Sequence, residues 1–210
     1  MNDSINVLIH GAGSAADVPG LTEATGLARL RFAQSLAELK RELPGSQALL
    51  GWDFRAGDLR EAWHYADDLR WIHWAGAGVD ALLFPELVSS DVQVTNARGV
   101  FDQPMAEYVL GLVLAMAKGF PATLAAQAER RWSYRTVERI ADKRALVVGA
   151  GSIGRAIARA LRAAGLRVSG VGRSARETDV DFGRVHAISE LDAPNVNDAS
   201  MMSTSRTLTR

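Results

Sequence analysis

Apolar residues in the first half of the chain gather into short runs separated by small and polar residues. Residues 5–10 read as a buried parallel strand, and 28–33, 47–51, 69–75 and 92–95 as further strands. Between them lie stretches that read as turns and helices. Ser35 with Glu38 three positions later forms a capping box, and the helix it opens runs through Leu43 to the stop at Pro44-Gly45. The small residues Gly11-Ala12-Gly13-Ser14 read as an ordinary strand-to-helix turn. They lack the third glycine of a phosphate loop. Strands alternating with helical stretches imply an α/β fold on a parallel sheet.

From Pro104 the pattern changes. Pro104 is a favoured first-turn residue, and Met105, Val109, Leu110, Leu112, Val113, Leu114 and Met116 cover nearly every side of the helix that follows. At roughly 15 residues it is too short to span a bilayer, so it reads as a buried connector between two domains. Residues 127–144 are strongly charged, with Trp132 and Tyr134 among Arg130, Arg131 and Arg135. That mixture suits either a partner surface or a solvated loop.

Residues 144–174 organise the rest. The run Ala145 to Val148 leads into Gly149-Ala150-Gly151-Ser152-Ile153-Gly154. A helical pattern carrying Ile157, Ala158, Leu161 and Ala164 ends at Gly165, and a second apolar run extends to Val171. Strand, glycine-rich turn, helix and strand in this order form a βαβ unit with the dinucleotide fingerprint in place. Gly149 allows the tight turn, Gly151 lets backbone approach a pyrophosphate, and Gly154 lets helix pack on strand. The helix N-terminus then holds the phosphates. An NAD site usually has a carboxylate at the end of the second strand to bond the ribose 2′-hydroxyl. Here Gly172, Arg173 and Ser174 stand at that corner, and Glu177 lies beyond it. A guanidinium and a hydroxyl suit a 2′-phosphate, which favours NADP, with NAD still possible; a solvated surface arginine is the alternative for Arg173.

Composition narrows the classes. The chain has 210 residues, 48% of them hydrophobic, enough for one large or two modest cores. Its 24 basic and 24 acidic residues balance, and no basic patch dominates, which argues against nucleic acid as the main partner. With no cysteine there is no disulfide framework, thiolate metal site or cysteine nucleophile; no metal site is expected. The first residues lack a basic segment, and the apolar run behind them is too short for a signal or membrane span. A cytoplasmic protein with no membrane partner is the expectation. His10 ends the first strand and Trp52 follows the third, where open α/β sheets place ligands. Either could face a cleft, or be a loop residue (His10) and a cover for the sheet edge (Trp52). The turn Gly76-Ala77-Gly78-Val79-Asp80 can present successive N–H groups to an anion such as a carboxylate.

Three stretches together resemble the D-isomer-specific 2-hydroxyacid dehydrogenases, nearest the glyoxylate/hydroxypyruvate reductase branch. They are Trp71-Ile72-His73-Trp74-Ala75-Gly76-Ala77-Gly78-Val79-Asp80, Val94-Thr95-Asn96-Ala97-Arg98-Gly99-Val100-Phe101 followed by Pro104, Ala106, Glu107 and Tyr108, and Val147-Val148-Gly149-Ala150-Gly151-Ser152-Ile153-Gly154. The resemblance implies a flavodoxin-like substrate domain over residues 1–102. A connector helix and a partial Rossmann cofactor domain follow over residues 103–193, then an irregular tail over 194–210. It also implies substrate-carboxylate binding by backbone at Ala77, Gly78 and Val79, a pocket lined by Trp52, and Met105 near the nicotinamide. Ser152 and Ile153 would meet the pyrophosphate, and Arg173 with Ser174 the 2′-phosphate. The region of Trp132 would wrap a second subunit in a homodimer.

The implied chemistry is reversible hydride transfer between nicotinamide and a 2-keto or 2-hydroxy acid, using an Arg, a Glu and a His in the second half of the cofactor domain. The likeness runs to about residue 193, and the Ser/Thr/Asn-rich segment beyond it matches nothing in the family. None of His10, His64, His73 and His186 takes the catalytic position, so no catalytic residue is assigned, and the chain is expected to be truncated and inactive alone. The competing reading is a non-catalytic module that binds NADP or pairs with a full-length relative.

Overall fold

The computed structural model describes residues 4–191. The chain divides into two compact units, Met1–Arg98 and Gly99–Arg210.

In the first unit five strands, β1 (Asn6–His10), β2 (Arg29–Ala33), β3 (Ala48–Gly51), β4 (Trp71–Trp74) and β5 (Gln93–Asn96), form one sheet in the order β2-β1-β3-β4-β5. Every pair is parallel. This is the flavodoxin-like doubly wound order, whose direction of winding reverses between β1 and β3. The period of two along each strand divides its side chains between two cores. Leu8, Leu49, Ile72 and Trp74 point to one face and pack with Leu39 of α1 (Leu36–Glu42), Leu59 and Ala62 of α2 (Leu59–Ala62) and Leu87 of α3 (Pro85–Val88). Ile9 points to the other, among Val18, Phe32, Leu50 and Trp52. The register that pairs Gly51 with Trp74 explains a glycine at the end of β3, because a Cβ there would lie 2.1 Å from the indole.

Two local expectations change. The segment after β1 winds into 3-10 turns at Ala15–Asp17 and Leu21–Ala24, not an α-helix. Pro19 supplies no N–H, and Gly20 sits at φ 78°, so the turns cannot merge. At the start of α1 Ser35 accepts from the Glu38 N–H at 3.3 Å, but the Glu38 carboxylate bonds the N–H of Gln34 at 2.8 Å. The reciprocal half of the capping box has therefore moved one residue outward.

The second unit opens with α4 (Asp102–Ala117) and α5 (Phe120–Ala128), followed by β6 (Arg144–Val148), α6 (Ser152–Ala163), β7 (Arg167–Gly172), β8 (Arg176–Asp179) and β9 (Gly183–Ala187). The sheet order is β6-β7-β9-β8, with β8 antiparallel to β9. Val113 of α4, Ile140, Ala145, Leu161 of α6 and Leu166 form one core; Ala158, Phe182 and Val185 form another.

Pro104 is the third residue of α4 rather than its first; Asp102 starts the helix, and the Met105 N–H reaches the Phe101 carbonyl at 3.0 Å. Nor is α4 buried on all sides. Ala106 and Val113 are its buried residues, while Tyr108 and Met116 are 63% and 66% exposed. A helix surrounded by apolar residues still offers only one stripe to a single neighbour, and here that neighbour is α6. Gly119, at φ 65°, turns the chain into α5, and the two helices are bent by 64°. Among the described residues no single helix is long and apolar enough to cross a membrane.

Candidate cofactor and substrate sites

The carboxyl ends of β6 and β7 enclose a cavity of about 490 Å³ lined by Val148, Gly149, Ala150, Gly151, Val171, Gly172, Arg173, Ser174, Arg176 and Ile188. The glycine-rich turn shapes it. Gly149 sits at φ 113°, and its N–H bonds the Val171 carbonyl at 2.9 Å, which ties the turn to β7. Gly151 caps α6, and its carbonyl accepts from the Arg155 N–H at 2.9 Å. Ser152 and Ile153 form the first turn, where helix N–H groups have no carbonyl before them to bond. Gly154 is buried; a Cβ on it would stand 1.8 Å from the Gly149 carbonyl oxygen. A Cβ on Gly149 or Gly151 would meet nothing within 4 Å. Backbone space kept open at two glycines and closed by the third is the cradle a pyrophosphate requires.

Arg173 and Ser174, both exposed, line the far end of the cavity beyond β7. Arg176 also lines it, from the start of β8, a strand that the hydrophobic pattern does not single out. Met105 lies on α4, 40% exposed, and is not part of this lining.

An ion-pair cluster fastens the β8–β9 turn to α6. Arg155, Arg159 and Arg162 share one helix face by their spacing of four and three. Arg155 clasps Asp179 with Nη1 at 3.0 Å and Nη2 at 2.9 Å, and reaches Asp181 at 2.8 Å. Arg159 bonds Asp181 at 3.2 Å, and Arg162 donates to the carbonyls of Val180 and Asp181. Arg155 holds the Asp179 carboxyl at a pKa of about 2, helped by backbone N–H groups of Asp181 and Phe182. The same guanidinium lowers Asp181.

In the first unit Trp52 follows β3, half-buried against the Ile9 core, with its N–H on the His10 carbonyl at 2.9 Å. The turn after β4 carries Ala77, Gly78 and Val79. Its shape is held from outside by the Asn96 side chain, which donates to the Ala77 carbonyl at 2.6 Å. Among the described residues none of the Ala77, Gly78 and Val79 N–H groups donates a hydrogen bond. Phe54 packs over Gly76, where a Cβ would come within 3.0 Å of its ring.

The histidines are dispersed. His10 is 2% exposed, with Nε2 3.8 Å from the Asp58 carboxylate. Burial lowers its pKa, against the opposing pull of Asp58 and Asp53. His73 shares a 2.9 Å bond with the Thr95 hydroxyl, which also accepts from the Trp71 indole. His186 lies 3.9 Å from Glu190, and His64 stacks near Tyr65.

Residues 110–202 match the family model of the D-isomer specific 2-hydroxyacid dehydrogenase NAD binding domain. Over these residues the chain matches the D-isomer specific 2-hydroxyacid dehydrogenase family. A solved dehydrogenase of this family from Aeromonas salmonicida superposes with a TM-score of 0.75 at 28% identity, covering 90% of this chain and 60% of its own. A second, from Xanthobacter autotrophicus in complex with NADPH and MES, gives 0.68 at 26% identity, with 90% and 59% covered. The NADPH-dependent glyoxylate/hydroxypyruvate reductase of Sinorhizobium meliloti, in complex with NADP and sulfate, gives 0.71 at 25%, with 90% and 58% covered. An uncharacterized Streptomyces coelicolor protein from the mprR 3′ region is 38% identical over 109 residues, which are 50% of this chain and 38% of that protein. The chain thus spans about 60% of the length of the solved dehydrogenases. Within it, the part that matches the NAD-binding-domain model lies in the second unit.

Proposed function

We propose that this dehydrogenase-family chain binds NADP in preference to NAD and serves hydride transfer to a small 2-keto acid of the glyoxylate or hydroxypyruvate class. The observation that carries the cofactor reading is the cavity in which Gly149 and Gly151 leave the backbone bare at one end, and Arg173 and Ser174 stand at the other. A carboxylate at that second end would repel a 2′-phosphate; a guanidinium pairs with it. The NADP bound to the Sinorhizobium reductase and the NADPH bound to the Xanthobacter dehydrogenase agree with this choice. Bound NADPH supplies the hydride. The chain's own residues hold and orient: Ser152 and Ile153 offer N–H groups to the pyrophosphate, and Met105 borders the nicotinamide. Ala77, Gly78 and Val79 offer theirs to the substrate carboxylate beside Trp52.

Reduction of a keto group also needs a proton donor and a cation at the carbonyl oxygen. Among the described residues we assign none to the family's Arg, Glu and His. His10 is buried, with its pKa lowered by that burial, and the Nδ1 of His73 bonds the Thr95 hydroxyl; the reading assigns the acid to neither. The 210-residue polypeptide alone is therefore inactive in this reading. Loss of acid–base help (about 10²–10⁴-fold) and of one electrostatic donor (about 10²–10³-fold) leaves little turnover. The test follows NADPH oxidation at 340 nm with glyoxylate and hydroxypyruvate. Turnover near about 1 s⁻¹, low for an ordinary enzyme, would refute inactivity, and His10→Gln and His73→Gln would then locate the acid.

A second reading is a non-catalytic NADP-binding or dimerising module, favoured by one observation: Tyr108 and Met116 of α4, Phe120 and Leu124 of α5, and Trp132 and Tyr134 are all more than half exposed. We read this surface as the seat of a second subunit, a homodimer partner or a full-length relative, in a cytoplasmic protein.

A further inference from the structure

The neighbourhood of Arg176 contains a feature that the cofactor reading does not use. Arg176 opens β8 and lines the same cavity as Arg173 and Ser174. Its Nε lies 3.1 Å from Asp179 Oδ2, within ion-pair range, yet Nε and Nη2 are buried without a hydrogen-bond partner. Asp179 does not turn fully toward Arg176 because Arg155 already grips both of its oxygens. The side chain is nonetheless 39% exposed and lines the cavity, so an arginine held by charge at its buried edge keeps its outer edge for a further anion.

The strand geometry explains the arrangement. β8 runs antiparallel to β9, and Arg176 pairs with Val185 while Asp179 pairs with Gly183. The ladder is irregular between them, which lets the Asp179 carboxylate swing toward Arg176 three residues back. Asp179 also caps the tight turn, accepting from the N–H groups of Asp181 and Phe182 at 3.0 and 3.3 Å. Its side chain is only 5% exposed, against 39% for Arg176. The carboxylate is thus a buried fixed point, and the guanidinium is a partly exposed arm hung from it.

We propose that Asp179 is a positioning residue for 2′-phosphate recognition: it joins the α6 clasp at Arg155 to the cavity arm at Arg176, so that Arg176 serves beside Arg173 as a second guanidinium for a 2′-phosphorylated adenosine. The inference rests on the NADP reading above. It adds a residue outside the glycine turn and outside the Gly172–Ser174 corner. Removing the carboxylate leaves both arginines in place but frees Arg176 from its anchor.

The experiment titrates the purified chain with 2′,5′-ADP and with 5′-AMP, two probes that need neither nicotinamide nor substrate. Parent, Asp179→Asn, Arg176→Ala and the double variant are compared. In the parent 2′,5′-ADP is expected to bind more tightly. Asp179→Asn should reduce that preference about tenfold, the order expected for a charge-assisted bond, with 5′-AMP affinity little changed. In the Arg176→Ala background Asp179→Asn should produce no further loss of preference. A purely structural Asp179 would weaken both probes together and would do so in either background, and that result overturns the inference. Equal binding of the two probes by the parent overturns the NADP reading itself. A parent that prefers 2′,5′-ADP together with an Asp179→Asn variant of unchanged preference overturns only the role of Asp179. Arg176→Ala leaves the Arg155 clasp intact and decides the matter if the Asp179 variant does not fold. Its preference should fall equally, and an unchanged preference contradicts the proposal.

Discussion

Two glycines of the fingerprint are required for different reasons, and alanine at each separates them. At Gly154 a Cβ would lie 1.8 Å from the Gly149 carbonyl oxygen and 3.0 Å from its carbon. Both obstacles are backbone, and Gly149 is itself tied by its N–H to Val171 at 2.9 Å. The loop cannot yield without losing that bond, so α6 must back away from β6. Overpacking of this kind costs about 1–3 kcal/mol, and for a chain of this size each kcal/mol lowers Tm by roughly 2–4 °C. At Gly151 the backbone is ordinary, φ −83° and ψ −168°, and a Cβ meets no atom within 4 Å. Gly151→Ala should therefore leave Tm within the spread of neutral surface changes, about 0.5 kcal/mol. The added methyl nonetheless occupies the approach of a pyrophosphate, and NADPH affinity should fall at least about tenfold, or 1.4 kcal/mol. Thermal unfolding and NADPH fluorescence titration of the two variants measure both quantities. A Gly154→Ala protein as stable as the parent, or a Gly151→Ala protein that binds NADPH normally, refutes the assignment of roles.

Further outcomes follow from the same structure. Arg173→Ala should weaken NADPH by about 1.5–3 kcal/mol, the range for hydrogen bonds to charged groups, and leave NADH nearly unchanged; equal losses would count against a 2′-phosphate contact. Gly51→Ala forces a Cβ to 2.1 Å from the Trp74 ring and should destabilise the first unit by about 1–3 kcal/mol, read by denaturant unfolding; a neutral result would mean that the indole moves freely. Because burial lowers the His10 pKa, stability is fully present above the unfolded value near about 6.5 and declines as pH falls below it. His10→Gln should flatten part of that decline, and an identical pH profile would contradict it. Asp179, held at about 2, contributes at most about 2 kcal/mol above the unfolded carboxylate range, lost as pH falls from about 4 toward 2; urea midpoints of Asp179→Asn and parent should converge at the acid end. Light scattering should find a dimer or larger assembly, and a monodisperse monomer would speak against the α4–α5 surface as an interface.

The sheet of the first unit was legible because its central parallel strands β1, β3 and β4 are written largely as apolar runs bounded by turn residues, whereas the edge strand β5 is largely exposed. The glycine-rich βαβ unit was legible for a different reason: its three glycines answer backbone demands that few other residues meet. The β8–β9 hairpin was hidden. Arg176, Glu177, Thr178 and Asp179 carry no apolar alternation, since this edge strand is held by ion pairs to α6 more than by a core. The Arg155, Arg159 and Arg162 spacing on one helix face, set against Asp179 and Asp181, was the available signal, and it requires knowing that the two segments meet. α4 misled in the opposite sense. Its apolar residues surround the helix, but only the stripe containing Ala106 and Val113 is buried. The turn at Ala77–Val79 could be marked out from composition, yet the Asn96 side chain that bonds its Ala77 carbonyl comes from 19 residues away.

In the proposed reading the turn at Gly149–Gly154 and the corner at Arg173–Ser174 form one dinucleotide site. Titration of the ¹⁵N-labelled chain with NADPH, followed by amide resonances, tests it most directly. The predicted result is saturable shifts clustered at Gly149, Gly151, Ser152, Ile153, Arg173 and Ser174, with NADH shifting the turn but not the corner. Saturable binding that leaves these amides unmoved, or no NADPH binding by a folded chain, would contradict it.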